Sequence, residues 1–225
     1  MTADVLARTD LFGSLPPADL EAIAAKGIVR SYPKGQILFY QQDPGESLYV
    51  ILDGRVKAFV TSEDGAELNL GIFESPSILG EVALVDGGPR SASAEVVATA
   101  KLLVFTRPTF VSLLGEHPAL VEAYLRMLGK LIRRLQDRTE DLVFLDLHGR
   151  VAKLLLAFAE DADAGPQGTV LDLKVTQGEL AAMVAGSRPT VNQILKTFEG
   201  RGYLTVAGRQ IIVKNPDALR RLAGV

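Results

Sequence analysis

The 225-residue chain has no cysteine and only two histidines. The first absence excludes disulfides, thiolate metal sites and cysteine-ligated iron–sulfur clusters. The second argues against a zinc site, because His117 and His148 stand alone with no ligand spacing around them. No apolar run reaches the roughly 20 residues that span a bilayer. The opening Met1-Thr2-Ala3-Asp4 carries an early acid where a signal peptide would be basic and then apolar. The expected compartment is the cytoplasm, with no membrane partner.

What is present is ordinary in bulk and uneven in detail. Apolar residues make up 48% and charged residues 23%, which suits one large globular domain or two small ones. The net charge of −3 conceals a basic end: Arg188, Lys196, Arg201, Arg209, Lys214, Arg220 and Arg221 face only Glu199 and Asp217. Such a segment on an acidic chain fits a local polyanion site such as DNA, or a solvated basic face.

The periodicity changes along the chain. The first residues read as short helices, the second opening at Pro17. Between Ile28 and Thr106, β-branched and aromatic runs alternate with Lys34-Gly35, Pro44-Gly45, Asp53-Gly54 and Asp64-Gly65. That spacing predicts several antiparallel strands in a small barrel, roll or sandwich. Ser47–Leu52 and Arg55–Thr61, joined at Asp53-Gly54, read as the clearest hairpin. From Pro118 to Phe144 the pattern is one long helix, with Leu128, Leu131, Leu135 and Leu142 near one seam and Arg138 or Thr139 at the missing step. It either packs on its own domain or pairs with a second copy, and its length favours pairing.

Asp146 is placed to cap the next helix, His148–Ala162, and this joint reads as a domain boundary. After a loop come a strand over Thr169–Val175, helices over Gln177–Ala185 and Arg188–Arg201 with a tight turn at Gly186, and a hairpin of Tyr203–Val206 and Gln210–Val213 around Gly208. A last helix starts at Asn215 or Pro216.

Two constellations carry chemistry. Gly80-Glu81-Val82-Ala83-Leu84-Val85-Asp86-Gly87-Gly88-Pro89-Arg90-Ser91-Ala92 offers a carboxylate, a turn, then a guanidinium beside a hydroxyl. An Arg fork with a hydroxyl can hold a phosphate, and a carboxylate can accept from ribose hydroxyls. Glu81 and Arg90 can equally pair with each other. The second runs from Thr176 to Val191 and fits a helix-turn-helix. Thr176 and Glu179 make a capping box, with Gln177 between them, and Ser187 caps the second helix. Leu180, Val184, Val191 and Ile194 would form the shared core, and the hairpin at Gly208 the wing. The second helix would present its first residues to a major groove. There Arg188 can bind guanine bidentately, and Ser187 and Thr190 can reach phosphates or a thymine methyl. Gln193 can read adenine or touch backbone, and Lys196 suits a phosphate.

In this order the two constellations resemble the bacterial CRP/FNR transcription regulators over nearly the whole chain, and Asp86-Gly87-Gly88-Pro89-Arg90-Ser91-Ala92 looks closest to the cyclic-AMP receptor branch. The resemblance implies an α+β fold: a jelly-roll-like β-roll sensor (1–117), a dimerisation helix (118–145) and a winged helix-turn-helix (146–225). It implies cyclic AMP as effector, with Glu81 on the ribose, backbone contacts around Gly80 and Val82, and Arg90 with Ser91 on the cyclic phosphate. It further implies a homodimer on a pseudo-palindromic operator and contact with RNA polymerase. No metal, haem or iron–sulfur cluster is expected, each His reading as a helix-end or hinge residue. Nor is catalysis, since the cassette lacks metal ligands and a general acid/base pair.

Two positions depart from the family pattern. The family places a hydroxylated residue followed by Ser or Asn where this chain has Leu135 and Gln136. Leu135 cannot accept the adenine amino group, and Gln136 can. Pro189 replaces a Glu that accepts from cytosine N4, although proline is tolerated in a first helical turn. The expected consequences are a weaker dependence on nucleotide and an operator altered at the base that the Glu would read.

Overall fold

The computed structural model describes residues 2–65, 67–160, 164–165, 168–172, 176–207 and 210–225. They fall into two compact units, Met1–Ile132 and Arg133–Val225, which divide inside one long helix.

The first unit opens with helices α1 (Thr2–Leu6) and α2 (Pro17–Lys26). Then come strands β1 (Ile28–Tyr32), β2 (Ile37–Phe39), β3 (Ser47–Thr61), β4 (Glu67–Glu74) and β5 (Ile78–Leu79). A short helix α3 (Glu81–Asp86), strand β6 (Ser93–Thr106), helix α4 (Arg107–Glu116) and the long helix α5 (Pro118–Phe144) follow. The six strands form one antiparallel sheet ordered β1-β6-β3-β4, with β2 added on β6 and β5 on β3.

Both faces of β3 and β6 are buried, which explains their near-continuous apolar runs. Leu48, Val50, Leu103 and Phe105 point to a core shared with α1, α2, α4 and the start of α5. Their neighbours Tyr49, Ile51 and Leu102 point the other way, into the roll, with Val56, Ala94 and Val96. This is the period-2 alternation of strands used on two cores at once.

The hairpin expected at Asp53-Gly54 does not form. β3 runs unbroken through the dipeptide, and its register against β6 shifts between Ile51, Asp53 and Arg55. Gly54 sits at φ 88°. The dipeptide therefore serves as a bulge, which needs the same left-handed backbone as a tight turn. Space demands glycine as well, since a Cβ there would overlap the Thr99 carbonyl oxygen and lie 2.5 Å from Ala100 Cα.

α5 buries Leu120, Ala123 and Tyr124 against the first unit. Its exposed large apolar residues are Val121, Leu125, Ile132, Leu135, Leu142, Val143 and Phe144. The first five, with half-buried Leu128 and exposed Thr139, complete a heptad stripe. Ile132 is exposed on this stripe, and Leu131, the residue expected on the seam, is half-buried beside it. Among the described residues no helix is long and apolar enough to cross a membrane.

The second unit continues with α6 (Leu147–Glu160), β7 (Ala164–Gly165), β8 (Gly168–Asp172), α7 (Gln177–Met183), α8 (Arg188–Gly200), β9 (Leu204–Ala207), β10 (Gln210–Val213) and α9 (Pro216–Ala223). Its strands form an antiparallel sheet ordered β7-β8-β10-β9. Asp146 caps α6 by accepting from the Gly149 amide at 2.8 Å. Arg150 donates to the Leu145 carbonyl at 2.9 Å and the Val184 carbonyl at 3.0 Å. Val151, Leu155, Leu180, Val184, Val191, Ile194, Phe198 and Ile211 share one core.

Gly54→Ala is expected to cost about 3 kcal/mol, because strain and overlap add. Gly35→Ala, at φ 85° with open space around it, is expected to cost about 1 kcal/mol. Urea denaturation of both variants checks the difference.

Candidate functional site

The cassette is built around α3. Gly80 is its N-cap at φ 83°, and Gly87 its C-cap at φ 70°. Only glycine fits at residue 80, where a Cβ would overlap Nη1 of Arg90 and lie 3.0 Å from the Ser47 carbonyl oxygen. Glu81 and Val82 open the helix and are half-buried. Burial raises the Glu81 carboxyl above the usual range; its backbone hydrogen bonding and the Arg90 charge oppose this.

Arg90 is 3% exposed. Nη1 donates to the Gly80 carbonyl at 2.9 Å and Nη2 to the Ser47 carbonyl at 2.7 Å. Cζ lies 4.2 Å from the Phe39 ring centroid and 6.0 Å from that of Tyr49. Its Nε is buried without a partner. Burial lowers its pKa, against the pull of Tyr49, Glu81, Asp43 and Glu46. No ion pair joins Arg90 to Glu81 among the described residues, although each charge acts on the other. Ser91 follows on an exposed bend.

Sequence reasoning missed three groups around α3. Ser47 supplies a carbonyl to Arg90. Arg107 Nε donates to the Leu84 carbonyl at 2.9 Å, and Tyr124 Oη donates to the Glu81 carbonyl at 2.8 Å. No local motif marks them; Tyr124 reads as one more apolar position on the buried side of α5. Leu135 and Gln136 are exposed on the later half of α5, in the second unit. Leu135 is 52% exposed.

The helix-turn-helix is assembled by its caps. Thr176 Oγ1 accepts from the Glu179 amide at 3.2 Å, and Glu179 Oε2 accepts from the Thr176 amide at 2.6 Å. Ser187 Oγ accepts from the Thr190 amide at 3.3 Å and lies 2.7 Å from Thr190 Oγ1. Pro189 occupies the first turn of α8, where its missing N–H has no helical partner to lose. The turn between the helices differs from expectation in one respect. Ala185, at φ 52°, takes the left-handed position. Gly186 supplies space instead, since a Cβ there would come 2.9 Å from Leu147 Cδ1.

Thr176, Gln177, Ser187, Arg188, Pro189, Thr190, Gln193 and Lys196 are all exposed, while Val191, Ile194, Leu195 and Phe198 on the other side of α8 are buried. Glu199 Oε1 accepts from the Val206 amide at 3.0 Å, tying α8 to the β9–β10 hairpin. Gly208 and Arg209, at its expected tip, lie outside the described residues, as do residues 173–175 of the predicted strand. His117 caps the end of α4, with Nδ1 3.6 Å from Asp19. His148 lies in the first turn of α6, with its ring 6.2 Å from that of Phe198.

The cyclic nucleotide-binding domain family matches residues 29–117, and the Crp-like helix-turn-helix domain family matches residues 149–222. The chain is 32% identical over 221 residues to a CRP-like cAMP-activated global transcriptional regulator of Mycobacterium tuberculosis, covering 98% of this chain and 99% of that protein. The chain belongs to the CRP/FNR family of transcription regulators. It is also 30% identical over 189 residues to the cAMP-activated global transcriptional regulator CRP of Salmonella typhimurium, covering 82% of this chain and 89% of that one. Among solved structures, the c-di-GMP responsive global regulator of Xanthomonas campestris superposes with a TM-score of 0.77 at 26% identity, covering 88% of this chain and 99% of that one.

As a CRP/FNR regulator, the chain pairs a cyclic nucleotide-binding domain with a DNA-binding helix-turn-helix. The cassette residues fit a cyclic nucleotide. A buried guanidinium with a free Nε and no ion-pair partner among the described residues is chemically matched to a phosphate diester. The glycine at residue 80 keeps the approach to it clear of side chain.

Proposed function

We propose that this CRP/FNR regulator is a cytoplasmic homodimer that binds a pseudo-palindromic operator, with its DNA affinity modulated by cyclic AMP. The observation that carries the effector reading is Arg90: a guanidinium removed from water, with no carboxylate paired to it among the described residues and one donor unused. Uncompensated buried charge is costly, and an anion offsets that cost. Arg90 and Ser91 hold the cyclic phosphate, Glu81 accepts from the ribose, and backbone around Gly80 and Val82 completes that half. Leu135 and Gln136 face the adenine.

Residues 1–117 act as sensor, 118–145 pair the two copies, and 146–225 bind DNA. The heptad stripe from Val121 to Leu142, apolar and largely exposed on α5, supports the pairing. The exposed row on α7 and α8 supports the DNA contacts, with Arg188 on guanine, Gln193 on adenine or backbone, and Lys196, Ser187 and Thr190 on phosphates or a thymine methyl. Thr176 and Gln177 flank the backbone at the start of α7, and RNA polymerase is contacted from the bound dimer. The two recognition helices lie about 34 Å apart, one DNA turn, and reorient about the Leu145–His148 joint.

A second reading is a regulator of the same fold that needs no effector or takes another. Leu135 favours it: the residue withholds a hydrogen-bond acceptor worth about 0.5–1.5 kcal/mol, roughly tenfold in affinity. The same side chain adds about 1.5–3 kcal/mol of apolar burial per copy when the seam closes. The Xanthomonas relative, described as c-di-GMP responsive, shows that this fold serves more than one nucleotide.

Calorimetry of the purified protein is expected to show binding of cyclic AMP in preference to cyclic GMP. Arg90→Ala should weaken it by roughly tenfold to a hundredfold, the value of charge-assisted hydrogen bonds; unchanged binding in a folded variant removes the effector reading. DNA affinity measured with and without cyclic AMP is expected to differ only modestly, because Leu135 biases the dimer toward its DNA-binding state; a strict nucleotide requirement contradicts that bias. Binding-site selection is expected to return half-sites that keep the guanine read by Arg188 and depart from TGTGA at the base opposite Pro189, and recovery of strict TGTGA refutes this.

A further inference from the structure

Three side chains grip the cassette helix from outside. Arg90 donates to the Gly80 carbonyl, Arg107 to the Leu84 carbonyl and Tyr124 to the Glu81 carbonyl. The first belongs to the cassette itself and the second opens α4. The third comes from α5, the helix that also carries the exposed apolar stripe.

Tyr124 is 3% exposed, and its ring packs on Phe110 with centroids 6.0 Å apart. Burial, with Glu81 and Asp86 adding to it, pushes its hydroxyl up to about 12, so it stays a neutral donor at physiological pH. A buried tyrosine needs an acceptor. The acceptor here is the peptide carbonyl of Glu81, 2.8 Å away, in the first turn of a helix only six residues long. A helix that short has little rigidity of its own. Its orientation is therefore set by the groups that hold its carbonyls, and the Glu81 side chain follows its peptide.

We propose that Tyr124 is a positioning residue of the nucleotide site, fixing the Glu81 peptide from α5 so that nucleotide binding and the packing of α5 on the cassette are coupled. This rests on the nucleotide reading given above. Fixing the peptide beforehand strengthens binding by removing conformations that would otherwise have to be frozen out. By linkage, nucleotide held at Glu81 tightens the contact of α5 at Tyr124.

The test uses the full chain, cyclic AMP titration and hydrogen exchange. Tyr124→Phe keeps the ring on Phe110 and removes the hydroxyl; its Kd for cyclic AMP is expected to rise about fivefold, the weight of one hydrogen bond. Phe110→Leu loosens the same packing but keeps the hydroxyl, and is expected to lower the thermal midpoint with Kd unchanged. In the wild type, cyclic AMP should slow exchange both in α3 and in α5 around Tyr124; in Tyr124→Phe only α3 should respond. A folded Tyr124→Phe protein with wild-type Kd and a responding α5 overturns the proposal alone. A wild-type protein that binds no cyclic AMP overturns the effector reading and this proposal with it.

Discussion

A guanidinium buried to within a few per cent of its surface is an expensive thing to build into a small domain, and much of the first unit is arranged around one. Arg90 is kept charged by two backbone carbonyls, Gly80 and Ser47, and by the faces of Phe39 and Tyr49. Neutral dipoles and aromatic faces offset part of the desolvation without supplying a negative charge. The Gly80 carbonyl can reach Arg90 only because residue 80 takes a left-handed conformation and carries no side chain. That turn in turn starts α3 and brings Glu81 beside the arginine. One buried cation thus fixes a glycine, a helix start and a carboxylate, and leaves a donor over.

The two halves of the proposed nucleotide site are built differently. The phosphate half centres on buried Arg90, held by backbone carbonyls. The residues proposed for the base, Leu135 and Gln136, are exposed on α5, and Leu135 offers surface and no acceptor. The DNA-reading face repeats this division of labour. Val191, Ile194 and Phe198 hold α8 in the core, and the residues available for contact stand outside it. Changes on either exposed face alter what is recognised while the core that positions it stays the same.

Much of this was legible in the sequence because it depends on local chemistry. The capping box at Thr176, the Ser187 and Asp146 caps and the long periodic helix are each written in a few adjacent residues. Other features were not, for identifiable reasons. Asp53-Gly54 announces a positive φ, and a turn and a bulge ask for the same one; only the pairing of β3 along its whole length with β6 decides between them. Leu131 and Ile132 are adjacent and both apolar, so a stripe with alternating steps of three and four can be drawn through either. At Ala185-Gly186 the tight turn is where the sequence placed it, but crowding from Leu147 is what requires the glycine, and the alanine takes the positive φ. Tyr124 and Arg107 reach α3 across long sequence distances, and no local pattern encodes such a meeting.

β6 has one more consequence, which concerns time. It is the last strand of its sheet to be synthesised, and it pairs with β1, β2 and most of β3, joining Ile28 to Val104 and Ser47 to Thr106. Pairings so distant along the chain close slowly, over about milliseconds to seconds, because the loop must be gathered before any contact rewards it. A nascent chain that has already made the cassette therefore carries it as an open segment until β6 emerges. The second unit waits in the same way for its own end, because α6 packs on α9, the last described helix of the chain. Each unit is thus closed by an element made late in it, β6 in the first and α9 in the second.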